Sequence, residues 1–324
     1  MPRAIDDHTL SLHRDNMEKR KQITADLFLL MVTVVWGGTF VMMKNILSRE
    51  APLNVLFWRF TIATLFLLLI LPQRLPDKNT FKYGLILGTA LFGGYLFQTF
   101  GLVYTTPARS AFITGLSVIL VPFFSFAFLR TKLKKETMIG VAMALVGLAF
   151  LTFNPTEFIK KGQIFGDLLT LVGAAAYGLQ IVLVERFSQK SQALPLVIVE
   201  MGTVAFLSFL LAISFRSLRL PAQWIDVGQF IFLGTAATGL AFAIQKVAQK
   251  HTTAIHVGII FVLEPVFAAV VSYFLWQEKF TPRTLAGCFF IVAGILFSEI
   301  SSRLFNHSPD SESTIFKSNS KPST

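Results

Sequence analysis

The sequence predicts an all-α polytopic membrane protein of ten transmembrane helices in two inverted five-helix repeats. Three observations lead there. Its 324 residues are 53% hydrophobic and only 15% charged, with 34 Phe and a mean hydropathy of +0.63, a composition no water-soluble globule requires. Apolar windows of about 20 residues, enough to cross about 30 Å of hydrocarbon, follow one another along almost the whole chain. A shift of 147 residues then superimposes 105–150 on 252–297 without gaps.

The windows run approximately 26–46, 54–72, 82–104, 108–129, 136–153, 164–186, 193–215, 226–248, 253–276 and 283–304. The first is too long for a signal-peptide core and no small-residue cleavage site follows it, so it reads as a retained span. Residues 1–25 form a polar N-terminal tail and 305–324 a Ser-rich C-terminal tail, both expected to be disordered. A linker at 154–163 divides a first repeat (26–153) from a second (164–304). Connections this short leave no room for a soluble catalytic domain. Of the 29 Lys and Arg, nineteen fall on the side of the N-terminus, nine on the other, and Arg59 lies within the second span. The excess of basic residues marks the cytoplasmic side, so both termini are expected there. The net charge of +11 therefore reports topology, and no nucleic-acid partner is expected.

In the 147-residue alignment Thr105, Thr106, Ser125, Lys132, Thr137, Gly140, Gly147 and Phe150 fall on identical residues, and Gln98 meets Gln245. Asp26 meets Asp167 at a shift of 141, and Thr61 with Ala63 meets Thr203 with Ala205 at 142. Each unit holds an odd number of spans, so the second must enter the membrane from the opposite side. Inverted repeats of this kind place a solute site near the bilayer midplane where the units meet, and rocking of one unit against the other exposes that site alternately. The expected architecture is thus two inverted repeats around a central cavity.

The segments WGGTFVMMK (36–44), FWRF (57–60), GLVYTTPARSAFITGLSVILVP (101–122), LEP (263–265) and WQEK (276–279) resemble the drug/metabolite transporter superfamily, specifically its EamA-type ten-helix exporters. The resemblance covers residues 25–303. It implies a basket of ten helices, a central cavity, and export of amino acids or other small metabolites.

Ionised side chains at the bilayer centre cost roughly 2.5–3.5 kcal/mol on insertion scales and so face a bundle interior or a wet cavity. Lys44 shares one helix face with Trp36 and Phe40 at i, i+4, i+8, and the repeat counterparts of the three are Glu185, Tyr177 and Ile181. The opposite charges of Lys44 and Glu185 point to an ion pair across the repeat interface, to two gates on opposite sides, or to snorkelling at the interfaces. Trp36, Phe40 and Tyr177 are placed on the cavity wall, where they suit amphipathic or aromatic solutes. Arg59 either holds a permanent ion pair or backbone carbonyls or lies on the substrate path, and Glu200, opposite Trp58 in the repeat alignment, is likewise open to a structural role. Arg109, beside TTPA, anchors a helix end or guards the cavity mouth. Gln98, flanked by Gly94 and Gly101, and its repeat Gln245 serve as interhelical hydrogen bonds or as solute ligands. His256, one turn into the ninth span, packs or carries protons.

Glu264 and Pro265 stand together inside an apolar span. Pro265 removes a backbone N–H and frees the carbonyl of Phe261, so this part of the helix must face protein or water. Pro122 is expected to interrupt the fourth span in the same way, one turn later in register. Glu264 then pairs with a cationic solute group, loads and releases a proton, or holds the ninth helix through a buried hydrogen bond.

The lone cysteine, Cys288, excludes an intrachain disulfide and a thiolate metal cluster. No G-x-x-x-x-G-K-[ST], H-E-x-x-H or G-x-S-x-G motif occurs, so neither ATP hydrolysis nor enzymatic chemistry is expected, and no cofactor or metal. The predicted function is secondary transport, exporting small organic metabolites by alternating access with proton exchange as one coupling. The predicted partners are a small-molecule substrate, protons and membrane lipid, the chain working alone or as a homodimer in the cytoplasmic (inner) membrane. A non-transporting receptor or assembly subunit is the alternative, and a membrane-embedded enzyme a weaker one.

Overall fold

The computed structural model describes residues 7–71, 75–132, 134–152, 162–221, 223–267, 270 and 281–305. The second half of the ninth span with its WQEK segment, most of the linker, and the C-terminal tail from 306 lie outside the described residues. Helices follow in the expected order: Asp7–Leu47, Pro52–Ile70, Lys78–Tyr104, a fourth span in pieces, Lys135–Thr152, Gln163–Ser188, Ala193–Ser214, an eighth span in pieces, a ninth beginning at Ala254, and Pro282–Phe305. Seven are long and apolar enough to cross a membrane, among the described residues; Ala254–Phe267 and Pro282–Ser298 are shorter apolar helices, and Lys135–Thr152 fills the fifth position.

One expectation fails at the N-terminus. The polar tail is helical from Asp7 and runs unbroken into the first span. Between Asp7 and Trp36 there is neither Gly nor Pro, and Lys, Arg, Glu, Leu, Met and Gln are frequent. These residues lose little rotamer freedom in a helix, and the apolar span has already met the cost of nucleation, so the helix propagates outward.

Helix starts follow local chemistry. Pro52 and Pro107 occupy first-turn positions, where a missing N–H costs nothing. Thr106 accepts from Arg109 N at 3.3 Å and Thr253 accepts from His256 N at 3.3 Å, so the aligned TTPA and TTAI segments cap the fourth and ninth helices identically. Asp77 caps the third helix by accepting from Thr80 N at 2.7 Å, and the Thr80 side chain first and this N–H second hold its carboxyl below the usual range.

The fourth span consists of Pro107–Gly115, Ser117–Phe124 and a π-helical turn Ser125–Leu129, which ends at Arg130 in the left-handed region (φ 56°). Its interruption is at Leu116, not at Pro122, which sits inside the second piece. Leu116 N–H reaches Ile113 O at 3.1 Å, and Leu263 N–H reaches Ile260 O at 3.1 Å in the ninth span. The two breaks are 147 residues apart, in strict repeat register. The eighth span is Trp224–Gly234, a π turn Thr235–Leu240 and Ala241–Ala248.

The fifth helix packs along the tenth, the third along the sixth and seventh, and the second along the seventh. Two crossings depend on absent side chains. A Cβ on Gly140 would stand 2.7 Å from Gly294 O, and one on Gly294 would stand 2.6 Å from Gly140 O. Likewise a Cβ on Gly101 would meet Gly166 O at 2.6 Å, and one on Gly166 would meet Gly101 O at 2.7 Å. Such close backbone approach is how helices associate where lipid is as apolar as leucine.

Candidate functional site

Where the first, second, third, fourth, sixth, eighth and ninth spans converge they enclose a cavity of about 80 Å³. Opposite charges line it. Arg59 reaches in from the second helix, and Glu264 comes from the piece that follows the break in the ninth. The interruption at Val262 and Leu263 brings Phe261, Val262 and Glu264 to the cavity wall, and an apolar medium tolerates such irregular backbone only where it faces protein or water.

Arg59 is 3% exposed. Its Nε donates to Thr238 Oγ1 at 2.6 Å, Nη2 to Tyr95 OH at 3.1 Å, and Nη1 to Met43 Sδ at 3.6 Å, with the guanidinium carbon 4.6 Å from the Tyr95 ring centre. A guanidinium has five N–H donors, so these contacts leave capacity toward the cavity. No carboxylate pairs with it among the described residues, and the permanent ion pair considered for Arg59 is not formed. Glu264 makes no hydrogen bond to another described residue and interacts through space with Arg59, Tyr95 and Tyr177. The cavity thus holds a cation and an acid that do not neutralise one another directly.

Trp36, Phe40, Gln98, Tyr177 and Gln245 all line the same space. Trp36 Nε1 donates to Ala237 O, 2.8 Å away in the π turn of the eighth span, while its ring lies 5.4 Å from Phe242 and 5.0 Å from Phe261. Its counterpart Tyr177 donates to Gln98 Oε1 at 2.8 Å in the third helix, and Gln98 Nε2 donates to Thr114 Oγ1 at 2.8 Å. The two aromatics thus bind to repeat-related helices, Trp36 to the eighth and Tyr177 to the third. Gly94 makes Tyr177 possible, since a Cβ there would stand 2.6 Å from its ring.

The remaining charged candidates lie off the cavity wall. Lys44 and Glu185 do not pair. Lys44 Nζ donates to the carbonyls of Leu102 (2.6 Å), Val103 (3.1 Å) and Thr105 (2.8 Å) where the third helix ends, and Glu185 accepts from Ala254 N where the ninth begins. Each charge thus meets the helix end of opposite partial charge. Glu200 is fully buried, 2.7 Å from Lys246 Nζ, and accepts from Gln180 Nε2 at 2.8 Å. Gln180 links this pair to Gln245 at 3.5 Å. Arg109 pairs with Asp167, which also accepts from Thr105 Oγ1 at 2.7 Å.

Lys246, Tyr95, Asp26 and Asp167 escaped the sequence reading as site residues. Lys246 lies two residues from the predicted end of its span and was counted with the loop charges; the signal available was Glu200, an acid in lipid that demands a cation. Tyr95 is one turn before Gln98 but is hidden in an aromatic-rich background.

Beyond the cavity, the loops at 48–51 and 215–223 are clamped together. Arg49 Nη2 lies 2.6 Å from the buried Asp226 and Arg219 Nε 2.9 Å from the buried Glu50, which also accepts from Asn54. The hydrogen bond to Asp226 pushes the pKa of Arg49 higher still.

Comparison with known proteins agrees with this architecture. The EamA-like transporter family matches twice, over residues 23–153 and 164–299. An uncharacterised transporter of Archaeoglobus fulgidus is 31% identical over 276 residues, spanning 85% of this chain and 86% of that one. An uncharacterised inner membrane transporter of Escherichia coli, YhbE, is 26% identical over 302 residues, 86% of this chain and 92% of that one. A solved crystal structure shares the fold at a TM-score of 0.72 and 20% identity, covering 88% of this chain and 99% of its own. With both halves of the polypeptide matched and the helical basket in place, this chain belongs to the EamA-like transporter family.

Proposed function

We propose that this transporter exports a small organic solute across the cytoplasmic membrane by alternating access, with both termini in the cytoplasm. One observation carries the reading: Arg59 and Glu264 line a single cavity without pairing to each other. Left so, a buried cation and acid are costly unless something else completes them. A solute with an anionic and a cationic end, or an anionic solute with a proton on Glu264, would do so. The Trp36, Phe40 and Tyr177 rings would take an apolar body between the charged ends.

At about 80 Å³ the cavity holds a few waters, whereas drug-sized ligands occupy about 300–1,000 Å³. Loading therefore requires one face to open and the space to enlarge, the motion alternating access supplies. The same consideration favours small metabolites over bulky drugs.

Cells lacking or overproducing the protein, challenged with amino acids, nucleobases and drugs, identify the exported class through protection by overproduction. Flux of that solute into everted vesicles, with and without a pH gradient, then tests coupling. Indifference to the gradient would exclude proton exchange, and absence of protection and flux across the panel would turn the reading toward a receptor or assembly subunit.

A further inference from the structure

The inverted repeat places two charged pairs at opposite ends of the bundle. Arg109 and His256 occupy equivalent positions, 147 residues apart, each on the first turn of a helix capped by threonine. Their partners are equivalent as well: Asp167 starts the sixth helix and Asp26, 141 residues earlier, stands at the same point of the first span. Arg109 pairs with Asp167 at the face away from the N-terminus. His256 Nε2 lies 3.0 Å from Asp26 Oδ1 at the N-terminal face. Each pair ties the helix that opens one repeat to the interrupted helix of the other, and those interrupted helices bear the cavity wall.

We infer that these pairs are the two gates of the transport path, and that the N-terminal gate alone is set by proton concentration. This rests on the transport reading above. A guanidinium stays charged at every physiological pH, so the far gate does not titrate. Imidazole changes charge near pH 6.5 in the ordinary case. Asp26 Oδ1 is buried and accepts no hydrogen bond from a described residue, so what joins it to His256 across 3.0 Å is the charge the imidazole carries when protonated. Neutral imidazole faces the carboxylate without a charge; protonated, it becomes a cation with an N–H on both nitrogens and completes an ion pair with Asp26. Acid therefore fastens the N-terminal gate and alkali loosens it.

Other charged groups at that end come from elements packed against the ninth helix. On the sixth helix, Glu185 is engaged by Ala254 N and Arg186 follows it; on the first, Arg20 and Lys21 lie one to two turns before Asp26; Lys250 and His251 lie in the preceding turn. The fourth span contributes no charged side chain between Ser117 and Leu129.

The test is distance measurement by electron paramagnetic resonance in full-length protein in lipid. Spin labels at Ile23→Cys and His251→Cys report the N-terminal face, and labels at Val103→Cys and Ile164→Cys the far face, each on a Cys288→Ser background. Labelling position 251 also removes the neighbouring imidazole. Raising pH from about 5.5 to about 8 is expected to raise the open-to-closed ratio at the N-terminal face about fivefold or more, the lower end of typical couplings, and to leave the far face unchanged. His256→Arg should stay closed throughout, Asp26→Asn should stay open throughout, and Arg109→His should add a pH response at the far face while the N-terminal face keeps its own. A pH-independent N-terminal distance in the parent, or a response that persists in both His256→Arg and Asp26→Asn, would overturn the gate. Gating without flux of any solute would instead refute the transport reading, so the two failures are separable.

Discussion

The two faces of the membrane bundle are built on one repeated backbone and carry different chemistry. At the far face guanidinium groups do the fastening: Arg109 to Asp167, Arg49 to Asp226, Arg219 to Glu50. At the N-terminal face the equivalent of the first is an imidazole, and the strong pair, Lys246 with Glu200, is withdrawn into the dry interior. The helix-end charges are inverted too, Lys44 at a C-terminus on one side and Glu185 at an N-terminus on the other. The backbone features, by contrast, match: the breaks at Leu116 and Leu263, the threonine caps, and the reciprocal glycines of the fifth and tenth helices. Symmetry is kept where helices must touch or bend and given up where charge decides which face yields.

The largest effect should come from the dry pair. Lys246→Met leaves Glu200 uncompensated and is expected to cost about 3–5 kcal/mol, whereas Glu200→Leu with Lys246→Met should recover most of that loss, as buried pairs replaced together often do. Thermal unfolding in detergent reads both, and equal damage by single and double variants would contradict the assignment. Next come the shared features. Gly147→Ala and its repeat mate Gly294→Ala each drive a methyl into the opposing backbone, 2.6 Å from Gly287 O and from Gly140 O, so about 1–3 kcal/mol is expected from each. Nearly equal losses would support the mirror relation, and a large inequality would break it.

Helix-end charges should separate the faces further. Lys44→Met deprives three carbonyls of a cationic donor, worth roughly 1.5–3 kcal/mol for a charged hydrogen bond. Glu185→Gln keeps an acceptor for Ala254 N and should cost less than about 1 kcal/mol. The smallest change is expected at the far clamp: Arg219 is 54% exposed, so its pair is largely screened, and in Arg219→Gln the buried Glu50 keeps its hydrogen bond from Asn54, for a cost of about 0–1 kcal/mol.

Much of this was legible in the sequence, and for physical reasons. Hydropathy placed the helices in their observed order, seven of them long and apolar enough to cross a membrane among the described residues, because lipid demands apolar windows of fixed length. Glu264, Arg59, Gln98, Trp36 and Tyr177 were found because polar or paired aromatic groups stand out against an apolar background. What stayed hidden depended on contacts between repeats. Asp26 and Asp167 aligned without showing their partners, and Lys246 looked interfacial because distance along a span does not report depth once the helix contains a π turn. Pro122 drew attention one turn too late because the bend is set at Leu116, before the proline. Helical propensity in residues 7–25 was outweighed by their polarity, though a membrane span extends readily into such a segment.

The central claim is that the solute passes between Arg59 and Glu264. Once the exported class is known, counterflow of labelled solute in proteoliposomes, compared between the wild type and Glu264→Gln at equal folded amounts, tests it most directly. Loss of at least about tenfold in exchange rate, the equivalent of about 1.4 kcal/mol, is the predicted result. Exchange at the wild-type rate in Glu264→Gln would contradict the account and leave that carboxyl a structural group only.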